Sequence, residues 1–361
     1  MEVKFPFYAR LAMVLLSIVL IIFLMYVAQS VLIPLFFAVQ VALLLYPLTR
    51  YLECKLHFSR SLASLVSVVV FVIGLAIFLY ILSYQILLFS QDIPTLQARI
   101  TTVLADLQLW MTTKYHLDST AQVSYMNQAT SNIVSGAAAY VTQLFFQISQ
   151  IIFWVVIVFI FSYFILHHRR LLVNFVIGIF PKESNQRVQS VITETRAITN
   201  NYIIGLLIEF VVVTIAYCAT FMLLGIEYAV LLGLICAALN FIPYIGFIVS
   251  CILVAIVSLM HGTAALAVQA VGLLFLIHLL DANVLLPRIV GNKVKMNALT
   301  TIIAVLMGGI LWGIAGMFLS IPISAMLKII FDNVQTLKPW GLVMGVEDKI
   351  VIPKENEQQH G

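Results

Sequence analysis

The chain has 361 residues, of which 63% are hydrophobic and only 9% are charged, and its mean hydropathy is +1.10. Soluble domains carry about 25% charged residues, and a folded core of this length could not hide so much apolar surface from water. The composition therefore excludes a soluble globular protein and predicts a polytopic membrane protein. The net charge of +4 is interpreted as a topology signal and not as a sign of nucleic-acid binding, because Lys and Arg accumulate in cytoplasmic loops.

Apolar segments in chain order predict six helices that cross a membrane, since one span needs about 20 residues. We expect the first to be retained, because no convincing small-residue cleavage site follows it. Two further apolar segments, 229–260 and 299–331, are too long for one plain span and are interrupted by Pro and Gly. The expected fold is an all-α polytopic membrane helical bundle with six full spans plus two re-entrant or broken helical segments; eight plain spans are the alternative. The six full spans are 11–28, 31–49, 62–89, 146–166, 201–224 and 263–286.

The distribution of Lys and Arg favours re-entrant segments. If both interrupted segments return to the side from which they enter, all of the 19 Lys and Arg residues except Arg99 and Lys114 are cytoplasmic. If both segments cross instead, the loop 287–297 moves outside with its three basic residues. The positive-inside rule therefore predicts two hairpins and cytoplasmic N- and C-termini.

A polar region at 90–145 predicts an extracytoplasmic amphipathic helical linker, because its apolar residues recur at helical spacing. An oligomerisation or scaffold element is the alternative interpretation. The expected organisation is an N-terminal three-span region, 1–89, the linker 90–145, the fourth span with a cytoplasmic loop 146–200, a transport half 201–332 and a cytoplasmic tail 333–361.

The stretch LNFIPYIG interrupts the first of the two long segments. Its proline removes a backbone donor and clashes with the preceding helical turn. Broken backbone at membrane depth is tolerated only where protein or a water-filled cavity surrounds it, and transporters use such breaks to present helix ends to a solute. We therefore expect Asn240, Pro243, Tyr244 and Gly246 to line a transport path.

The stretch MGGILWGIAG interrupts the second long segment with Gly308, Gly309, Gly313 and Gly316, and Pro322 follows. Two Gly/Pro-interrupted apolar segments in comparable positions indicate a binding site. Glycines at this spacing also suit close packing between helices. Both interpretations remain open from the sequence.

Three ionisable residues within apolar segments are candidates for ion coupling. Glu209 falls well inside the span 201–224, where a carboxylate is costly and marks function by default. A neutral, hydrogen-bonded structural Glu is the alternative. His278 and Asp281 share one face near the end of the span 263–286. The alternative for Asp281 is a solvated residue at a cytoplasmic helix end.

Motifs of soluble enzyme chemistry are absent from the sequence, which has no phosphate-binding glycine loop, no HExxH and no GxSxG. The four cysteines have no metal-ligand spacing, and no disulfide is expected. We therefore expect no enzyme activity, no cofactor and no metal centre.

The order of three motifs resembles the autoinducer-2 exporter family, also called the PerM-like permeases. The motifs are LNFIPYIG, NVLLPRIVG and GGILWGIAGMFLSIPISAMLK, and the similarity in layout extends over nearly the whole chain. Three positions depart from the family pattern. Leu206 replaces a common Gln, Phe247 replaces a frequent Pro, and Asp281 stands where Glu is usual.

The resemblance implies secondary transport in the bacterial inner membrane, with the lipid bilayer as surroundings and a homo-oligomer as the expected assembly. Members are linked to export of the quorum-sensing signal autoinducer-2, and some to sodium/proton antiport. Carried over by motif, the family-like positions are Asn240, Pro243, Tyr244 and Gly246; Asp281, Asn283, Pro287 and Gly291; and Gly308, Gly309, Gly313, Gly316 and Pro322.

Two classes of function follow from the sequence. The first is a secondary transporter that exports a small polar solute, with Glu209 coupling transport to protons or sodium; a cation/proton antiporter is its variant. The second is a membrane scaffold or regulator without transport, which would bind a partner through the region 91–145. An intramembrane hydrolase based on His278 and Asp281 is disfavoured, because no nucleophile motif accompanies them.

The hairpin topology predicts that the loop 287–297 is cytoplasmic. In a cysteine-free variant, a single Asn292→Cys substitution should react with an impermeant thiol reagent only from the cytoplasmic side. Labelling only from the opposite side would show that the interrupted segment 229–260 crosses the membrane and would contradict the hairpin.

Overall fold

The computed structural model describes residues 6–91, 102, 153–242, 245–261, 263–289 and 296–346. All regular structure in these ranges is helical, which confirms the expected all-α membrane architecture. By length and composition six of the described helices could cross a membrane, one of them the interrupted segment 298–333, and a seventh candidate is a pair of helices bent by 71°.

The helices begin and end as follows. They are α1 Phe7–Val27, α2 Gln29–Lys55, α3 Arg60–Gln91, α4 Phe153–His167, α5 Arg169–Ile179, a 3-10 turn Lys182–Ser184, α6 Asn185–Leu223, α7 Ala229–Leu239, α8 Ile245–His261, α9 Ala264–Leu280, a π-helical turn Asp281–Leu285, α10 Leu286–Ile289, α11 Ala298–Asn333 and α12 Lys338–Met344.

Five of the six predicted spans coincide with α1, α2, α3, the C-terminal portion of α6, and α9 with its π-helical turn. The fourth predicted span, 146–166, is described only from Phe153 onward. The predicted linker 90–145 lies almost entirely outside the described residues and stays a prediction, as does the tail beyond 346.

The chain divides into two compact units. The first contains residues 1–172 and 203–291, and the second contains residues 173–202 and 292–361. In the first unit, helices α6 to α9 and the connections between them share one apolar core. Its buried members are Val213, Tyr217, Phe221, Ile226, Ala229, Leu232, Cys236, Ala237, Val254, Val257, Ala270 and Leu274.

Small polar side chains hold α2, α3 and α4 together in the first unit. Thr49 Oγ1 donates to Ser67 Oγ at 2.9 Å, and Ser162 Oγ donates to the carbonyl of Ala38 at 3.2 Å. Buried hydroxyls of this kind permit close helix approach and supply hydrogen bonds that lipid cannot.

The bend between α4 and α5 lies at the His-His-Arg-Arg sequence. Arg169 forms an ion pair with Glu53 of α2, and its guanidinium lies 5.4 Å from the ring centroid of Tyr46. Beyond the bend, the apolar residues Leu171 and Phe175 of α5 are exposed. A helix with an exposed apolar face at such a bend is typical of the membrane interface.

Hairpin 1, residues 229–261, consists of α7 and α8 packed against each other. Gly246 lies against Leu239 so closely that a Cβ there would collide with the Leu239 carbonyl. Four positions further from the turn, Cys236 lies close to Ser250. The two helices are therefore antiparallel, and the predicted break is confirmed. Because α7 has 11 residues and rises only about 16 Å, it is too short to span a bilayer alone.

The described residues between the two helices of hairpin 1 use their backbone N–H groups locally. The N–H groups of Phe241 and Ile242 donate to carbonyls three residues earlier, and the N–H of Gly246 donates to the Ile242 carbonyl at 3.0 Å. The tightened turn therefore satisfies donors that a broken helix would otherwise leave bare.

Hairpin 2, residues 298–333, is contained within α11, which reverses direction at Trp312 and Gly313. Gly313 has φ 60° and ψ −142°, a conformation that is essentially restricted to glycine. On either side of the reversal, Gly308 and Gly316 pack backbone to backbone, since a Cβ on either would collide with the carbonyl of the other. Gly308 and Gly316 therefore pack closely, as one of the two interpretations of the sequence proposed.

The two ends of hairpin 2 lie together. Asn297 donates its side-chain amide to the carbonyls of Val343 and Gly345, at 2.7 and 3.0 Å, just after the second arm has ended at Asn333. A straight 36-residue helix would separate its ends by about 54 Å. The 11 residues from 334 to 344 could cover at most about 40 Å even when fully extended. The reversal is therefore required by connectivity as well as by local geometry.

We expect Gly313→Ala to lower the stability of the protein by about 1–3 kcal/mol, because the backbone conformation of residue 313 is strained for a residue with a Cβ. Thermal unfolding of the purified protein in detergent measures the change. Gly272→Ala is the matched control: Gly272 is helical, has open space around its Cα, and should be neutral or stabilising. An unchanged melting temperature for Gly313→Ala would contradict the reversal.

Candidate functional site

Three polar side chains from separate elements of the first unit meet at the turn of hairpin 1. Asn240 follows α7 directly, Glu209 lies in α6, and Asp281 begins the π-helical turn. Asn240 Nδ2 donates to Asp281 Oδ2 at 2.8 Å and lies 3.3 Å from Glu209 Oε1. We refer to these three residues as the carboxylate cluster.

The carboxylate cluster is buried and has few partners. Glu209 is 6% exposed and Asp281 is 3% exposed. Each carboxyl has one oxygen, Glu209 Oε2 and Asp281 Oδ1, without a hydrogen-bond partner in the described portion of the chain. Neither carboxyl forms an ion pair with Lys or Arg there. Two close carboxyl groups in a medium of low dielectric constant repel each other unless a proton or cation lies between them.

Antiparallel packing of α7 on α6 explains why Asn240 reaches Glu209. Near the start of α7, the Cys218 thiol lies 3.7 Å from the Val230 carbonyl, and Gly233 packs against Cys218. As the chain proceeds toward the C-terminal end of α7, it passes earlier residues of α6. The end of α7 therefore lies at the level of Glu209, about two and a half turns before Cys218.

The π-helical turn begins at Asp281, and a proline explains its position. In a regular α-helix, residue 287 would donate its N–H to the carbonyl of Asn283, and a proline has no N–H to donate. A wider turn relieves this conflict, and π-bulges are frequent at functional sites. The side-chain amide of Asn283 donates to the carbonyl of Leu279 at 2.8 Å, within its own helix.

His278 and Phe247 lie beside the cluster. Their rings stack with centroids 4.2 Å apart and an interplanar angle of 15°. His278 also interacts electrostatically with Asp281, which lies three residues later. Phe247, which departs from the family pattern in the sequence, thus covers the imidazole from the α8 side.

Tyr217 was not selected from the sequence, although it is 2% exposed and lies near Asp281 and Glu209. Its spacing of eight residues from Glu209 on one helix could have indicated it. Val213 is 1% exposed, so the buried face of α6 runs from Glu209 through Val213 to Tyr217 in steps of four residues. Val212 is 37% exposed and lies off this face.

The structure thus brings together Glu209, Asn240 and Asp281, with His278 adjacent. Asp281 is buried and not solvated as its alternative interpretation supposed. The side-chain amide of Asn283 is hydrogen-bonded within its own helix. Pro243, Tyr244 and Gly291 lie outside the described residues. Gly308, Gly309, Gly313, Gly316 and Pro322 lie in hairpin 2, in the second unit, and their role in a transport path stays a prediction.

Comparison with known proteins identifies the class. The model of the AI-2E family transporters matches residues 15–336, and the chain belongs to this family. The Bacillus subtilis "Putative transport protein YrrI" is 26% identical over 317 residues, covering 84% of this chain and 86% of the relative. "Putative transport protein YueF" of the same organism is 24% identical over 317 residues, covering 84% and 85%. The Escherichia coli "AI-2 transport protein TqsA" is 33% identical over 111 residues, covering 30% of this chain and 32% of the relative.

We expect Asp281→Asn and Asp281→Ala to change stability in opposite directions. The Asn variant keeps an acceptor for Asn240, gains a donor for Glu209 and removes the repulsion, so its melting temperature should rise. The Ala variant loses the 2.8 Å hydrogen bond, at a cost of about 2 kcal/mol. Thermal unfolding in the same detergent and salt tests both. Equal destabilisation by both variants would show that the two carboxyls do not repel.

Proposed function

We propose that this protein is a secondary transporter that exports a small polar solute and couples this movement to protons or sodium at the carboxylate cluster. The observation that supports the proposal is the meeting of two buried carboxyls and one amide at the turn of hairpin 1. Membership of a transporter family supports the general activity. The solute, the coupling ion and the direction of transport belong to the proposal.

Broken helices can contribute to transport by presenting helix ends and polar side chains near the middle of the bilayer. In hairpin 1 the turn carries Asn240, while the two carboxyls belong to α6 and to the π-helical turn. A movement of the hairpin turn changes the partners of both carboxyls at once. The cluster therefore offers a direct connection between ion occupancy and the position of the turn.

Autoinducer-2 is the first solute to test, because the name of one partial relative carries it and the sequence motifs resemble the exporter family. We place the protein in the bacterial inner membrane, as a homo-oligomer with cytoplasmic termini. The charge bias of the loops supports this orientation.

A cation/proton antiporter that needs no organic solute is the second candidate, and the same two carboxyls favour it. Buried carboxyl groups within spans commonly form proton and ion pathways. The two candidates differ in whether cation movement requires the solute.

The test uses the full chain in proteoliposomes, loaded with autoinducer-2 and given a proton or sodium gradient. We expect gradient-driven release from the wild-type protein and release near background for Glu209→Gln, because the amide cannot exchange a proton or bind a cation as a carboxylate does. Glu194→Gln is the matched control, since Glu194 lies exposed on the same helix and should leave release unchanged.

The same vesicles without autoinducer-2 separate the two candidates. Sodium-driven proton movement in the absence of solute would favour the antiporter. Unchanged release by Glu209→Gln would contradict ion coupling at the cluster, and absence of both activities in the wild-type protein would contradict transport.

A further inference from the structure

In the carboxylate cluster, an amide nitrogen stands where a small cation would bind. Asn240 Nδ2 lies 2.8 Å from one carboxylate oxygen and 3.3 Å from another, and these oxygens belong to different helical elements. We propose that Asn240 is a built-in competitor of a monovalent metal cation of the sodium class. Its amide holds the two carboxyls together in the cation-free state, and the cation displaces it. This inference rests on the proposed coupling role of the same cluster.

The charge of the two carboxyls favours a cation at this position. An amide NH2 group is neutral and offers only the positive end of a dipole to the two carboxyls. It satisfies one oxygen of each, whereas Glu209 Oε2 and Asp281 Oδ1 stay buried without a partner among the described residues. Buried charge without compensation is costly. A monovalent cation would neutralise some of this charge and would find oxygen ligands of the kind that hard cations prefer.

The orientation of the Asn240 amide excludes a cation from the same place. Asn240 has one amino group and one carbonyl oxygen, and its amino group faces both carboxyls. A cation between the carboxyls would meet the positive end of the N–H dipoles, so the amide and the cation cannot occupy the same place. The amide must either leave or turn its carbonyl oxygen toward the cation. These alternatives make opposite predictions for a variant without the amide.

Departure is favoured by where each group is attached. Glu209 lies within the long helix α6, and both carboxyl residues are more than nine-tenths buried. Asn240 is only half-buried and begins the interrupted turn of hairpin 1. A shift of this turn withdraws the amide without unwinding a helix.

The consequence is a coupling between two equilibria. If the cation and the amide exclude each other, cation binding opens the contact between the hairpin turn and the carboxyls, and closing the contact expels the cation. A ligand that binds one of two conformations more tightly shifts the population toward that conformation. Asn240 would thereby convert occupancy of the site into movement of hairpin 1.

The test measures sodium binding to the purified full chain in detergent, without flux. Melting temperature is recorded against NaCl concentration, with choline chloride keeping the ionic strength constant, and the apparent Kd follows from the stabilisation. We expect Asn240→Ala to bind sodium about tenfold more tightly than the wild-type protein, the factor that corresponds to about 1.4 kcal/mol of lost competition. Asn240→Ala combined with Glu209→Gln should abolish the sodium-specific shift.

Two further variants keep the measurement interpretable. Asn240→Leu has nearly the size of Asn but lacks its donor. If Asn240→Ala folds poorly, Asn240→Leu takes its place and should show the same tighter sodium binding. Asn333→Ala is the matched control, because that amide donates to the Ile329 carbonyl at 3.0 Å in the second unit. Its sodium affinity should equal that of the wild-type protein.

Weaker sodium binding by both Asn240 variants would mean that Asn240 is a ligand and would overturn the inference. Unchanged affinity, or no sodium-specific shift in any variant, would overturn it as well. Coupled flux together with weaker binding by the variants would leave the proposed function standing and remove only the inference. Tighter sodium binding by the variants without any flux would contradict the proposed function and leave the competition between Asn240 and the cation standing.

Discussion

Within a bilayer, every backbone N–H and C=O group needs a partner inside the protein, because lipid offers none. Both interrupted segments of this chain turn back on themselves as helical hairpins under this constraint. Hairpin 1 tightens its turn so that Phe241 and Ile242 donate to carbonyls three residues earlier. Hairpin 2 reverses at Gly313 and brings Gly308 and Gly316 into backbone contact. Hairpin 1 thus satisfies its described turn donors locally, and hairpin 2 closes by backbone-to-backbone packing of two glycines.

The turn of hairpin 1 also determines where the polar chemistry of the first unit lies. Because α7 is short and antiparallel to α6, its end delivers Asn240 to the level of Glu209. The π-helical turn ahead of Pro287 begins with Asp281, which completes the cluster. Each of these irregularities costs free energy in an apolar setting, and together they place two carboxyls around one donor. Local conflicts that converge on one position are typical of functional sites.

The sequence was sufficient for features that depend on local chemistry. Segment lengths identified the spans, and Pro243 and Gly313 identified the two breaks. Glu209 was recognisable because a carboxylate within an apolar span is costly. The meeting of Glu209 with Asp281 at the same site was not recognisable, since Asp281 lies 72 positions away and its burial depends on how α9 packs. The contact of Asn297 with α12 and the bend at His168 depend on tertiary packing in the same way.

The break in hairpin 1 brings Asn240 to the buried carboxyls. A double-mutant cycle with Asn240→Ala and Asp281→Ala, measured as free energies of unfolding in one detergent, tests this contact directly. We expect the double variant to lose less than the sum of the two single losses, with a coupling energy of at least about 1 kcal/mol. Additivity within about 0.5 kcal/mol would show that the two side chains do not interact, and would contradict a role of the break in forming this contact.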